Sequence, residues 1–271
     1  IICLGIQLKP FEFIKFGSIA IPLIVVCIIS VLVVIKLLIQ KLKISRGMSY
    51  LIAIGSTVCG TTAIIATAPV INAKKSEMAY AIANMTVFGI LAMLIYPYFA
   101  NFYFDGDPLF VGLFMGTAIH ETSQVAAAGL IYDQQFNSPE TLNIATVTKL
   151  IRNTFLVIMI PLFAYLYNRG QNHKKNYSII NIFPYFVLGF IALIILRNMG
   201  DVFFLQTNIN GEEMWIEFVS LITSSAKIFL SMSMAAVGLS TNLKDLKSMG
   251  YKPFIVGFVS LLTVGIVSLT A

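Results

Sequence analysis

The chain has 271 residues, of which 58% are hydrophobic and only 11% are charged. A soluble domain carries roughly 25% charged residues, so this composition excludes an ordinary soluble fold and indicates a protein whose surface faces lipid. The net charge of +6 is typical of the cytoplasmic loops of a membrane protein, and it does not predict nucleic acid as a partner.

Long apolar runs predict an all-α membrane protein, a polytopic helix bundle in which each run is near the ~20 residues that span a bilayer. Residues 1–7 are predicted to be the end of a helix whose start is missing. Six further helices are predicted at residues 16–40, 78–100, 142–167, 183–198, 215–238 and 251–271.

Two other elements, at residues 46–73 and 109–132, have polar, glycine-containing centres between apolar arms. We call them the first and second broken elements. Their centres match at an offset of about 61 residues, and a second match at an offset of about 233 relates the loop after Gly5 to the loop after Gly238. Internal symmetry of this kind is typical of transporters, so the sequence predicts inverted repeats.

Positive charge favours a re-entrant hairpin for each broken element. Lys43 and Arg46 precede the first element, and Lys74 and Lys75 follow it. A hairpin would keep both clusters on the cytoplasmic side. The loops flanking the second element carry acidic residues such as Asp105 and no Lys or Arg, which indicates a hairpin that enters from outside. The two hairpins are expected to meet near the membrane midplane, and the alternative is that both elements are broken spans.

A set of short motifs runs along essentially the whole chain, and its most specific stretch is 116–129. The motifs are Cys59-Gly60, Ala63-Ile64, Ala66, Ala68-Pro69-Val70-Ile71, Ala73-Lys74, Phe88-Gly89, Leu91-Ala92-Met93-Leu94, Tyr96-Pro97, Ile119-His120-Glu121-Thr122, Gln124-Val125, Lys149-Leu150-Ile151-Arg152 and Gly238-Leu239. In these motifs the chain resembles the YeiH-type bacterial inner-membrane proteins, a family named for sulfate export.

The resemblance implies a transporter of the bacterial inner membrane and a chain about two helices longer at its N-terminus. Two departures from the family pattern are mild. Thr61-Thr62 replaces smaller residues, and Glu121 stands where Asp is also usual. The resemblance therefore strengthens the expectation of a transporter more than that of any one substrate.

The second arm of each broken element is predicted to begin inside the membrane. A helix N-terminus offers free N–H groups and a positive dipole end, which together form a ready anion site. The alternative is that the small residues of these centres only allow close helix packing. The candidate substrate-binding residues of the two centres are Ser56, Thr57, Cys59, Gly60, Thr61, Thr62, Thr117, His120, Glu121, Thr122, Ser123 and Gln124.

Two cations in the predicted helix 142–167 extend this candidate site. Lys149 and Arg152 share one helix face, roughly 10 and 15 Å into the membrane core. We expect them to contact an oxyanion, for which the arginine fork is suited, so that Arg152→Ala should lose anion binding. The alternative is an internal ion pair with Glu121. Lys227 is a further candidate for substrate binding.

His120 and Glu121 are also the candidates for ion coupling, because ionisable side chains at membrane depth are costly and mark function by default. Glu121 could carry a coupling proton or bind Na⁺, and His120 could relay protons. The alternative is a structural pair that satisfies backbone groups of the hairpin.

The sequence therefore predicts a secondary transporter of a small inorganic or organic oxyanion, similar to sulfate or sulfite, coupled to H⁺ or Na⁺. Residues 1–271 are expected to form a single transmembrane transporter domain, with the start of the first repeat missing, in the bacterial inner membrane. The expected partners are a small anionic solute, the lipid bilayer, H⁺ or Na⁺ and a second copy of the chain.

No metal site or cofactor is expected, since the cysteines are odd in number and irregularly spaced and no enzyme motif is present. The alternatives are an intramembrane enzyme that uses Cys59, His120 and Glu121, and an anion channel.

Overall fold

The computed structural model describes Cys3, Ile6 and residues 10–169, 186–205, 212–239 and 250–271. These residues form helices joined by turns, without a strand in the described ranges. The prediction of an all-α protein is therefore confirmed. Four described helical stretches are long and apolar enough to cross a membrane: Phe16–Leu42, Lys75–Tyr103, Pro139–Tyr167 and Lys252–Thr270.

The chain divides into two compact units. The smaller unit holds residues 1–15 and 184–241 and the larger unit holds residues 16–183 and 242–271. The described helices of the smaller unit are α9 (Phe186–Gly200), a π-helical turn (Asp201–Leu205) and α10 (Glu212–Leu239). A buried Arg197 pairs there with Asp201 over 2.8 Å, and the Trp215 indole donates to the same carboxylate over 2.9 Å.

The larger unit contains the two broken elements and the helices that surround them. Its helices are α1 (Pro10–Leu42, from Phe16 onward), α2 (Arg46–Thr57), α3 (Thr61–Val70), α4 (Lys75–Tyr103), α5 (Pro108–Ala118), α6 (Thr122–Phe136), α7 (Pro139–Thr154), α8 (Leu156–Arg169) and α11 (Lys252–Thr270). Each broken element is thus a pair of short helices, and the single helix predicted at 142–167 is interrupted at Phe155. With 12 and 11 residues, α2 and α5 each reach about 17 Å, roughly half of the hydrocarbon core.

The first broken element is a hairpin, because both of its ends meet at one carboxylate. The Ser45 hydroxyl, just before α2, donates to Glu77 over 2.6 Å. The Lys74 backbone N–H, just after α3, donates to the other oxygen of Glu77 over 3.2 Å. The start of α2 and the end of α3 therefore lie at the same end of the larger unit. We call α2, residues 58–60 and α3 hairpin 1.

The second broken element is also a hairpin, because its two ends lie side by side. Tyr132, in the last turns of α6, donates its hydroxyl to Asn101 over 2.8 Å. Asn101 also accepts the Gly106 N–H over 3.0 Å in the turn that leads into α5. The end of α6 thus lies beside the start of α5. We call α5, residues 119–121 and α6 hairpin 2.

Close packing against α7 aligns hairpin 2 with that helix. A β-carbon on Gly116 would lie 2.6 Å from the Thr148 side chain, and one on Gly129 would lie 2.6 Å from Leu142. Only glycine allows these approaches. Both α5 and α6 pack along α7, in opposite directions. Lys149 and Arg152 of α7 therefore lie beside the tip of hairpin 2.

The repeat alignment agrees with the structure in one respect, since α3 begins at Thr61 and α6 begins at Thr122, the offset that the alignment predicted. The inverted relation between the two hairpins stays a prediction. The second proposed repeat relates the loops after Gly5 and Gly238, and both Gly5 and residues 240–249 lie outside the described residues.

Membrane sidedness gives the first testable prediction. Positions 43 and 75, both exposed, flank hairpin 1, whereas positions 105 and 137, also exposed, flank hairpin 2. We expect an impermeant thiol reagent to label cysteines at 43 and 75 only from the cytoplasmic side and at 105 and 137 only from the outside, because positive loops stay inside. Labelling of positions 43 and 75 from opposite sides would contradict the hairpin.

Candidate functional site

The two hairpin tips touch in the interior of the larger unit. The Thr61 hydroxyl of hairpin 1 donates to the Glu121 carboxylate of hairpin 2 over 3.1 Å. Gly60 packs against the backbone of His120. Thr61 is fully buried, and His120 and Glu121 are 2% and 4% exposed. The two centres that the sequence singled out are therefore neighbours.

Gly60 forms the turn at the tip of hairpin 1. Its φ of +61° and ψ of −120° belong to a region that residues with a side chain rarely adopt. Its N–H donates to the Gly55 carbonyl over 2.9 Å, and a β-carbon at this position would lie 3.3 Å from the His120 carbonyl oxygen. The backbone conformation of the turn requires glycine here, and the close approach of the second tip leaves little room for a side chain.

Lys149 reaches from α7 to both tips. Its ammonium group donates to the carbonyls of Val58, Ile119 and His120 over 3.1, 2.9 and 2.6 Å. The side chain is fully buried. Since an ammonium group has three donors, all of its hydrogen-bonding capacity is directed at the two tips.

Arg152 makes the same kind of contact one helical turn further along α7. Its Nε donates to the Thr57 carbonyl over 3.0 Å and its Nη2 to the Ser56 carbonyl over 2.6 Å. Its Nη1 donates to the Thr117 carbonyl of hairpin 2. The guanidinium group is 1% exposed, so it too is enclosed by backbone carbonyls.

These carbonyls belong to the C-terminal ends of α2 and α5. The last carbonyls of a helix have no intrahelical partner, and together they carry about half a negative charge. The two cations therefore provide hydrogen-bond donors for the C-terminal ends of α2 and α5, the first helices of the two hairpins.

No ion pair joins Lys149 or Arg152 to Glu121 within the described residues, where the one ion pair is Arg197–Asp201. Arg152 thus directs three of its five N–H donors at backbone carbonyls of the two hairpins.

The N-terminal ends of α3 and α6 face the same region without side-chain caps. The thiol of buried Cys59 lies against the Thr62 hydroxyl and the Ala63 N–H. In α6, by contrast, Thr122 is half-buried and Ser123 is exposed. The N-terminus of α6 is therefore the more accessible of the two.

Asn153 adds an amide to the N-terminus of α6. Its Nδ2 donates to the Thr122 hydroxyl over 3.1 Å, and its Oδ1 has no partner among the described residues although the side chain is 3% exposed. Rotation of the amide would let Thr122 donate to the oxygen instead, leaving the NH₂ group free to bind an anion. Asn153 is not among the site residues predicted from the sequence. Its signal was a polar side chain directly after Arg152 at membrane depth.

Further buried polar atoms near the tips lack partners. Neither ring nitrogen of His120 has a hydrogen bond of normal geometry in the described part of the chain, although the ring lies close to the Ala118 carbonyl. The Gln124 Oε1 and the Thr148 hydroxyl are also unpartnered there. Buried polar groups are normally paired, so these atoms indicate a region that accommodates water or a polar solute.

The described side chains among the remaining candidates make contacts outside the region where the tips meet, and their role in substrate binding stays a prediction. The hydroxyls of Thr57 and Thr117 donate to carbonyls of their own helices, over 3.1 Å to Ile54 and 2.7 Å to Leu113. Ser56 contacts the sulfur of Met85, and Gln124 donates weakly to the Thr86 carbonyl at 3.4 Å. Ser268 of α11, which the sequence analysis also missed, hydrogen-bonds Thr117. The side chain of Lys227 lies outside the described part of the structure.

The family described as "Conserved hypothetical protein 698" matches residues 1–257. The chain is 35% identical to a UPF0324 membrane protein of Fusobacterium nucleatum over 274 residues, covering 99% of this chain and 78% of the relative. It is 36% identical to a UPF0324 membrane protein of Streptococcus agalactiae over 272 residues, covering 100% of this chain and 77% of the relative. The chain belongs to the UPF0324 family. No solved structure matches it.

The UPF0324 family is the YeiH-type family, so the resemblance stated above is confirmed. The relatives are named as membrane proteins, in agreement with the four apolar helical stretches of the structure. Their names give no substrate or reaction. Any function must therefore be argued from the hairpin tips.

Proposed function

We propose that this UPF0324 protein is a multi-pass secondary transporter of the bacterial inner membrane, which moves a small oxyanion coupled to H⁺ or Na⁺. The observation that carries the proposal is the charge balance at the hairpin tips. Among the described residues, the buried charged side chains there are Lys149, Arg152 and Glu121. The two cations are offset by Glu121 and by the C-terminal ends of α2 and α5, which contribute about half a negative charge each.

The N-terminal ends of α3 and α6 then leave about one uncompensated positive charge at the tips. A small anion would balance it, because free N–H groups at a helix N-terminus bind oxyanions directly. Thr122, Ser123 and Asn153 provide hydroxyl and amide donors around the accessible end. A tetrahedral oxyanion matches this donor set better than a cation does.

The enzyme alternative finds less support. A nucleophile and its general base are expected to be within hydrogen-bonding reach. Neither nitrogen of His120 makes a hydrogen bond to Cys59 or Glu121 in the described residues. Cys59 instead faces the first turn of α3. We therefore favour a binding role for the two tips.

Anion binding can be tested by placing a negative charge at the proposed site. Ser123→Asp should preserve α6, because an acidic residue in the first helical turn is favourable, but it should repel an anion. A like charge at about 6 Å costs roughly 2–3 kcal/mol at an effective dielectric constant of 20, which is more than tenfold in affinity. Calorimetry of purified protein with sulfate, sulfite and small organic sulfonates measures this loss.

The matched control is Asn143→Asp, which adds the same charge to an exposed position of α7 about 15 Å along the helix from Asn153. Binding should survive in the control. Equal affinities of Ser123→Asp and wild type would place the anion elsewhere.

A further inference from the structure

We propose that Lys149 and Arg152 are positioning residues that hold the two hairpin tips together through the backbone, rather than ligands of the transported solute. The proposal rests on the proposed function in one respect, because the site that they position is the anion site at the tips. It changes the role that the sequence analysis expected for both cations.

The contacts are divided evenly between the two hairpins. Lys149 and Arg152 make six hydrogen bonds to carbonyls, three in hairpin 1 and three in hairpin 2. Each cation binds both hairpins. Their spacing of one helical turn places them on the same face of α7, so a single helix spans both tips.

Backbone groups at membrane depth explain why cations are needed. Lipid provides no donors for free carbonyls, so each must be satisfied within the protein. At the end of α2 the carbonyls of Ile54 and Gly55 accept backbone N–H groups at the tip. Within the described ranges, the carbonyls of Ser56, Thr57 and Val58 accept only from the two cations. Without the cations these groups would be buried and unsatisfied.

This arrangement limits how the site can open. Parting the tips would break hydrogen bonds between buried charges and buried carbonyls. The tips and α7 should therefore move as one body, and access to the anion site should change without separation of the tips.

Hydrogen–deuterium exchange in the absence of any anion tests the proposal. Lys149→Met removes the charge and keeps an unbranched side chain. We expect exchange in the segments 55–63 and 116–124 to rise together by about tenfold or more, while α4 is unchanged. Lys36→Met is the matched control, since Lys36 is an exposed cation of the apolar helix α1, and it should leave both tips protected.

The conservative variant Lys149→Arg provides a second measurement, because a guanidinium group can still donate to several carbonyls. It should restore the protection of both tips and the anion affinity together. A positioning role requires the two properties to recover in parallel.

If Lys149→Met loses anion binding but both tips exchange as in wild type, Lys149 is a direct ligand and the positioning role is overturned while the proposed function stands. If the tips lose protection but wild-type protein binds no anion, the proposed function fails and the positioning role stands. Loss of protection at only one tip would also overturn the proposal.

Discussion

Arg152→Ala is expected to be among the most destabilising single substitutions in the larger unit, by about 4 kcal/mol or more. The change leaves the Ser56, Thr57 and Thr117 carbonyls buried without donors, and a hydrogen bond to a charged group contributes roughly 1.5–3 kcal/mol. For a protein of this size, the melting temperature should fall by about 8 °C or more. Anion binding should be lost as well.

Buried thiols provide the measurement. Cys27 and Cys59 are 1% and 2% exposed and belong to the larger unit, so a thiol-reactive dye reports when that unit unfolds on heating. Cys3, which is only partly buried, is replaced by Ser in all proteins compared. Arg152→Lys should be intermediate in stability and in anion affinity, because an ammonium group cannot reproduce the planar fork.

Arg46→Ala is the matched control for Arg152→Ala. Arg46 also donates to helix C-terminal carbonyls, those of Leu166 and Tyr167 in α8, at 3.2 and 2.7 Å. It is only half-buried, so water can replace it and the loss of stability should be much smaller. Equal melting temperatures for the two alanine variants would contradict the importance of the buried carbonyl contacts.

Glu121→Gln is expected to abolish accumulation of the anion against a gradient while leaving anion exchange intact. Glutamine can still accept the hydrogen bond from Thr61, so the contact between the tips should persist. What the variant loses is the ability to bind a proton or Na⁺. Proteoliposomes loaded with buffer or with unlabelled anion measure accumulation and exchange separately.

The sign of the coupling follows from the charges. A proton on Glu121 removes a negative charge beside the N-terminus of α6 and so favours an anion there. Linkage is reciprocal, so a bound anion favours the proton. Anion and proton should therefore move in the same direction. Na⁺ bound at Glu121 would act with the same sign.

Glu140→Gln, at an exposed position near the start of α7, is the control for the loss of one carboxylate. It should accumulate anion as wild type does. If Glu121→Gln also concentrates the anion, the coupling residue lies elsewhere. If neither wild type nor variant responds to an ion gradient but both exchange anion, the transport is not coupled to H⁺ or Na⁺.

The sequence predicted the helical architecture because its signals are local. Apolar runs of membrane-spanning length identify the helices, and a polar, glycine-containing centre identifies each break. The helix starts at Thr61 and Thr122 agree with the centres selected from the sequence.

The partners of the cations could not be predicted in this way. Their contacts with Val58, Thr117 and His120 depend on which helices pack together, and spacing along one helix carries no such information. A cation three residues from another predicts a shared face, but it does not distinguish an anion from a backbone carbonyl as the partner.

The role of Glu77 at the base of hairpin 1 could not be predicted from the sequence either. Its sequence position, just after a lysine pair, is typical of a solvated loop. In the structure its carboxylate accepts hydrogen bonds from both ends of the hairpin, through Ser45 and Lys74. Two residues separated by about thirty positions had to be brought together before the role of this side chain was visible.

Anion flux across a membrane tests the central claim most directly. Proteoliposomes preloaded with sulfate, sulfite or a small organic sulfonate would be supplied with the same labelled solute outside, so that exchange is measured whether or not net charge moves. We predict that at least one of these anions exchanges faster than in empty liposomes, and that Ser123→Asp abolishes the exchange while Asn143→Asp retains it. Exchange of only cationic or neutral solutes, or anion exchange that is unaffected by Ser123→Asp, would contradict an anion transporter with its site at the hairpin tips.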